Sequence, residues 1–137
     1  GRTPYPGRID APLEPPAPAA AYRLGTVFSL VIDHPLGTIV HHGSAGRVPG
    51  SFEGLRADVL LLCVAGRGNT AEYLERTALA CGARTVVPAH FDYFFTPLDE
   101  RVRHIPMVRM KEFVRTLAGL CPDTRVILPE PARAIRL

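Results

Sequence analysis

The sequence reads as an α/β protein built on a mixed β-sheet with helices on one face. Three features predict this class. Two β-branched runs, residues 24–33 (LGTVFSLVID) and 38–42 (TIVHH), flank the turn-forming HPLG and read as an antiparallel hairpin. Residues 58–64 (DVLLLCV) form an almost unbroken apolar run, as expected of a strand covered on both faces. Two stretches with apolar residues at helical spacing then alternate with further short strands, an order that favours parallel pairing.

Taken in order, residues 1–20 hold six of the 14 prolines. Such a segment cannot form helix or sheet, so an extended arm or linker is expected, with the folded part spanning residues 21–137. The hairpin follows, then a loop rich in glycine at residues 43–54 (GSAGRVPGSFEG). After the strand at 58–64, Asn69 is placed to cap a helix, with Glu72 three residues on. Ala71, Leu74, Ala78 and Cys81 recur at helical spacing, and Gly82 suits the position just past a helix end. Residues 84–88 form the next strand, leading into His90. Met110, Phe113, Val114, Leu117 and Leu120 mark a second amphipathic helix, with Pro122 beyond its end. Residues 124–128 (TRVIL) are a last short strand. No internal repeat is visible.

The bulk numbers exclude several classes. With 137 residues, 47% hydrophobic and 21% charged, the chain suits one modest globular domain. A net charge of +3, with no basic run, argues against nucleic acid as a partner. The longest apolar run, VLLLCVA at residues 59–65, is too short to span a bilayer. No charged segment followed by an apolar one opens the sequence, so a cytoplasmic location is expected. Fifteen of the 16 basic residues are Arg, which fits a GC-rich bacterial genome. Cys63, Cys81 and Cys121 lack paired spacing, so reduced structural thiols are expected rather than disulfides or a cysteine zinc site.

Several residues are candidates for chemistry. GRGNTA, residues 66–71, follows a buried strand and matches G-x-G-x-x-A. Glycines there allow close backbone approach to a phosphate. The next strand ends in Val87-Pro88-Ala89-His90 without the acid that would hold a ribose, so a tight strand-to-helix turn is the plainer reading. His41 and His42 are adjacent on a strand and must point to opposite faces. His90 ends a strand expected to be parallel, at the edge where open α/β sheets bind ligands. Imidazole is a common metal ligand, and Asp92 is near enough to orient it. His34 and His104 read as surface residues.

Two motifs carry a resemblance. IVHHGSAG (residues 39–46) and ARTVVPAHFDYFFTPLD (residues 83–99) resemble the C-terminal half of a metallo-β-lactamase-fold hydrolase, in the lactonase-like branch. The likeness runs over residues 24–128. It implies an αββα sandwich of which this sequence supplies one half. It also implies that His90 is the late histidine ligand of a zinc-type site, that Ser44 stands where a metal-bridging acid is usual, and that His42 is a second possible ligand. Asp92 would orient His90 or face substrate. The family's H-x-H-x-D-H segment does not occur in the sequence.

The resulting expectation is part of a metal-dependent hydrolase acting by metal-bound hydroxide on an ester, lactone or phosphodiester. Its remaining ligands would come from an N-terminal-half polypeptide or a second copy of the chain. Phe91, Tyr93, Phe94 and Phe95 would line a substrate wall or fill the core, with at least half of them in the core. A non-catalytic binding module is the alternative, and nucleotide binding at residues 66–71 a weaker one.

Overall fold

The computed structural model describes residues 5–46, 48–97, 99–130 and 133–136. One five-stranded sheet runs in the order β1 (Ser29–His34), β2 (Gly37–His42), β3 (Val59–Cys63), β4 (Thr85–Ala89) and β5 (Arg125–Val126). The β1–β2 pair is antiparallel, and β2 through β5 are parallel. This is the mixed α/β sheet that the strand patterns predict.

The hairpin closes tightly, with His34 opposite Gly37 and Ser29 opposite His42. Gly37 has φ +143°, and a Cβ there would come within 2.7 Å of an Asp58 carboxylate oxygen. Glycine is therefore required at this corner. The space belongs to Asp58, which accepts a 2.9 Å hydrogen bond from the Thr38 amide and a 3.1 Å bond from Arg84. The Thr38 amide and then Arg84 hold the Asp58 carboxyl below its ordinary range. One carboxylate thus ties together the starts of β2, β3 and β4.

Two strands are shorter than their patterns suggest. The first begins at Ser29 rather than residue 24, because its partner β2 ends at His42, opposite Ser29. The last is confined to Arg125–Val126, with one more bond from the Ile127 amide to the Val86 carbonyl. The next rung would need an amide donor at residue 88, and Pro88 has none.

The expected first helix is not a regular α-helix. Arg67–Asn69 is a 3-10 turn, and Glu75–Leu79 is a five-residue π-helical turn. Asn69 ends the first turn instead of capping a helix, and Glu72 takes a positive φ of 52° and pairs with Arg76. Thr77 explains the π turn. Its hydroxyl donates to the Tyr73 carbonyl at 2.6 Å, while the Leu79 and Ala80 amides reach five residues back to Leu74 and Glu75. A threonine hydroxyl bonding four residues back competes with the regular ladder. Of the positions picked out by helical spacing, Leu74, Ala78 and Cys81 are buried but Ala71 is exposed, and Tyr73 takes its place in the core. Gly82 closes the segment with φ +55°.

Helix α1 (Met110–Leu120) matches its pattern and buries Met110, Phe113 and Leu117. These join Val40, Leu60, Leu62 and Val86 of the sheet in one cluster with Phe52, Tyr73, Leu74 and Ala78. Side chains alternate along strands. The opposite face therefore carries Leu30, Ile32, Ile39, His41, Leu61, Cys63 and Val87, none of which belongs to that cluster. The main core lies on one side of the sheet.

Candidate functional site

The carboxyl ends of β2, β3 and β4 converge at one edge of the sheet. Tyr73 locks them together, its hydroxyl donating to the Cys63 carbonyl at 2.6 Å and to the Ser44 carbonyl at 3.5 Å. Thr70 donates to the Ala45 carbonyl at 2.6 Å, and the Val64 amide donates to the Ala89 carbonyl at 3.0 Å. Tyr73 is 4% exposed, and burial raises its phenol well above the ordinary range. It acts here as a neutral donor.

His90 leaves this frame at once. It has φ +55° and an exposed side chain. A left-handed backbone is strained for any residue with a Cβ, and such strain gathers at functional sites. The group against its Nδ1 is not Asp92 but the Cys63 sulfur, at 3.6 Å. Asp92 is exposed and forms a β-bridge with His104. No hydrogen bond joins it to His90 among the described residues. Sequence spacing favoured Asp92 because it is two residues away. Cys63 is 27 residues away, and the β3–β4 register that sets it opposite Ala89 brings it close.

Burial pushes the Cys63 thiol above its ordinary pKa, with partial opposition from the Ala65 and Ala45 backbone. A thiol only 2% exposed and so shifted is a poor nucleophile.

His41 and His42 do part to opposite faces. His42 is 4% exposed, packs edge-on against Phe52 at 5.0 Å between ring centres, and shares a 2.8 Å hydrogen bond between its Nδ1 and the Ser29 hydroxyl. Its Nε2 is buried without a partner. Burial holds its pKa below the ordinary value, with the Gly46 backbone opposing and His41 adding to the shift. This ring sits on the helix-covered face, whereas Cys63, which touches His90, sits on the other. His41 leans over Gly43, its ring carbon 3.1 Å from where a Cβ would lie. Ser44 is half-buried, and its hydroxyl accepts from the Gly46 amide at 3.2 Å.

The aromatic run divides differently from expectation. Phe91 is buried, but Tyr93, Phe94 and Phe95 are 38%, 66% and 72% exposed. Their backbone forms a short pairing with residues 103–105, through Tyr93 to Arg103 and Ile105 to Phe91 bonds. That pairing turns the ring run away from the core. At residues 66–71, Gly66 is left-handed and a three-residue turn follows. Arg67 folds inward onto the Val64 and Val108 carbonyls and over the Phe113 ring at 5.6 Å.

A separate concavity of about 740 Å³ opens at the other end of the strands, lined by His34, Thr38, Asp58, Arg84 and Arg125 among others. Its acid Asp58 is already committed to Thr38 and Arg84, so the carboxyl edge is the better candidate for chemistry. Among the described residues, no group of three or more His, Cys, Asp or Glu side chains is placed to hold a metal ion together. No helix there is long and apolar enough to cross a membrane. Comparison with known proteins finds no family model, no curated protein and no solved structure that matches the sequence.

Proposed function

We propose that this chain is the C-terminal half of a metallo-β-lactamase-type hydrolase, completed by an N-terminal-half polypeptide or a second copy. Its substrate class is a small ester, lactone or phosphodiester. The observation that carries the reading is His90, an exposed imidazole on a strained backbone at the carboxyl edge of a parallel strand. That donor chemistry fits a zinc-class ion. His42 is less available, because its Nδ1 is already bonded to Ser29. When bound, such an ion lowers the pKa of a water to about 7, making hydroxide available near neutrality. His90 contributes one ligand. Ser44 offers a neutral hydroxyl where a bridging acid would sit, so a completed site holds one tight metal rather than two. Asp92 and the exposed rings of Phe94 and Phe95 face the substrate side.

A non-catalytic binding module is the second reading, favoured by the lack of a three-ligand group among the described residues. Activity of the reconstituted assembly separates the two. His90→Ala should abolish turnover and lower metal content. His90→Gly is the folding control, because glycine accepts φ +55° without strain. Full turnover and full metal content in both variants would overturn the proposal. So would hydrolase activity with zinc from the chain as a monomer.

A further inference from the structure

We propose that two copies of this chain pair edge to edge through β1, antiparallel across a two-fold axis at Val31, so that their sheets join into one. Neither His90 nor a metal enters the argument, so it stands apart from the hydrolase reading.

The free backbone groups of β1 limit how a partner can dock. The Thr38 amide donates to the Asp58 carboxylate, and the Thr38 carbonyl accepts from the Asp58 amide, both at 2.9 Å. Thr38 thus turns both groups towards β3. Backbone direction alternates along a strand, so Gly37, Ile39 and His41 turn theirs towards β1. Their register partners are His34, Ile32 and Leu30. Ser29, Val31 and Asp33 are left with amides and carbonyls pointing outward, and among the described residues no strand meets them. An antiparallel partner must set residues with outward groups opposite one another. A second β1 therefore docks only with the axis on a residue, never between two.

The side chains choose among those registers. A two-fold interface brings residue i against j and j against i, so the strand must read alike in both directions. Ser29-Leu30-Val31-Ile32-Asp33 does so about Val31, with polar ends and an apolar middle. With the axis there, Val31 meets its own copy, Leu30 meets Ile32, and Ser29 meets Asp33. Asp33 Oδ1 accepts from the Thr38 hydroxyl at 3.1 Å, which leaves Oδ2 for the partner's Ser29. The Ser29 hydroxyl shares its 2.8 Å bond with His42 Nδ1, and a hydroxyl both donates and accepts. An axis at Ile32 would instead set Asp33 against Val31, and one at Leu30 would set it against Val27. An axis at Asp33 would oppose two carboxylates, which is destabilising.

The same register covers the apolar surface of the edge. Leu30, Val31 and Ile32 are each about half exposed, and Phe28, which falls opposite His34, is more exposed still. Their removal from water drives the association. The charge that would guard this edge, Asp33, is the residue that the register matches with a hydroxyl.

Disulfide cross-linking of single-cysteine variants, under mild oxidation of the full chain, reads the register. Opposed residues in an antiparallel pair have Cα atoms about 4.5–5.5 Å apart, within disulfide reach. Diagonal neighbours, about 7–8 Å apart, lie beyond it. Val31→Cys should therefore form a covalent dimer about tenfold faster than Leu30→Cys or Ile32→Cys alone, while a mixture of the latter two should cross-link readily. Those two positions are as exposed as Val31, so each alone reports random collision. The native thiols are buried, and the wild type gives their background. Circular dichroism verifies that each variant is folded, and light scattering of the wild type should show a dimer. A wild type that stays monomeric leaves the edge to a different chain and overturns the proposal. So does a folded Val31→Cys variant that cross-links no faster than the other two, or an Ile32→Cys variant that cross-links fastest.

Discussion

At the residue scale, the two histidines that the motifs singled out have opposite characters. His90 is exposed and strained, and His42 is buried and hydrogen-bonded. The difference follows from position: His42 is still within its strand, on the core face, while His90 is the first residue past one. The burial of His42 has a consequence for stability. Its folded pKa is depressed below the ordinary value, so the unfolded chain binds the proton more readily. The neutral ring stabilises the fold fully above the unfolded pKa of about 6.5, and that contribution is lost as pH falls through the folded value. Urea unfolding midpoints should therefore drop on acidification in the wild type and drop less in His42→Leu. Equal acid sensitivity in the two proteins would show that His42 titrates freely in the folded state. Only part of this was legible in sequence. Alternation assigned His41 and His42 to opposite faces, but nothing in the string says which face the helices cover.

At the element scale, the order of strands, the hairpin and α1 follow from periodicity, because burial on one face requires those repeats. What the pattern could not reveal is competition inside an element. Thr77 fits an apolar helix face by spacing, yet its hydroxyl takes the carbonyl that a regular α-helix needs, and a π turn results. Pro88 likewise suits a strand while removing the donor that would have lengthened β5. Gly82 was legible because its role is steric. It closes the π segment at φ +55°, with the Gly82 amide on the Leu79 carbonyl and the Ala83 amide on Ala78. Gly82→Ala should cost about 1–2 kcal/mol in chemical unfolding, the penalty of a Cβ in a left-handed conformation. A Cβ there would meet only an Arg56 guanidinium nitrogen, at 3.4 Å, so strain and not collision sets the cost. An unchanged midpoint would mean that the backbone at residue 82 relaxes out of that conformation.

At the scale of the whole molecule, the sheet is covered over its central strands and exposed at its β1 edge. All six residues of β1 are exposed, and Leu30, Val31 and Ile32 retain 52%, 47% and 50% of their surface. Val27 and Phe28 before the strand and Leu36 in the turn are more exposed still, at 53%, 68% and 91%. Among the described residues β1 is also an edge strand with β2 as its sole neighbour, and its outer backbone groups have no ladder partner there. Asp33 is the one acidic residue of this edge, and Leu30, Val31 and Ile32 before it form an apolar run with no proline or bulge; such a run is a template for another strand, and a contiguous apolar patch of this kind marks an interaction surface. Leu30 and Ile32 project on the same face as Cys63, so a chain that covers them also approaches the His90 edge. The isolated protein is therefore expected to self-associate, and Ile32→Lys should shift it towards monomer. A charge on that face opposes edge pairing, and at a half-exposed position it costs the fold little. Light scattering at matched concentrations reads the outcome, with circular dichroism to verify that the variant is folded. Wild-type chains that stay monomeric, or an Ile32→Lys variant that associates as strongly, would show that this edge needs no partner.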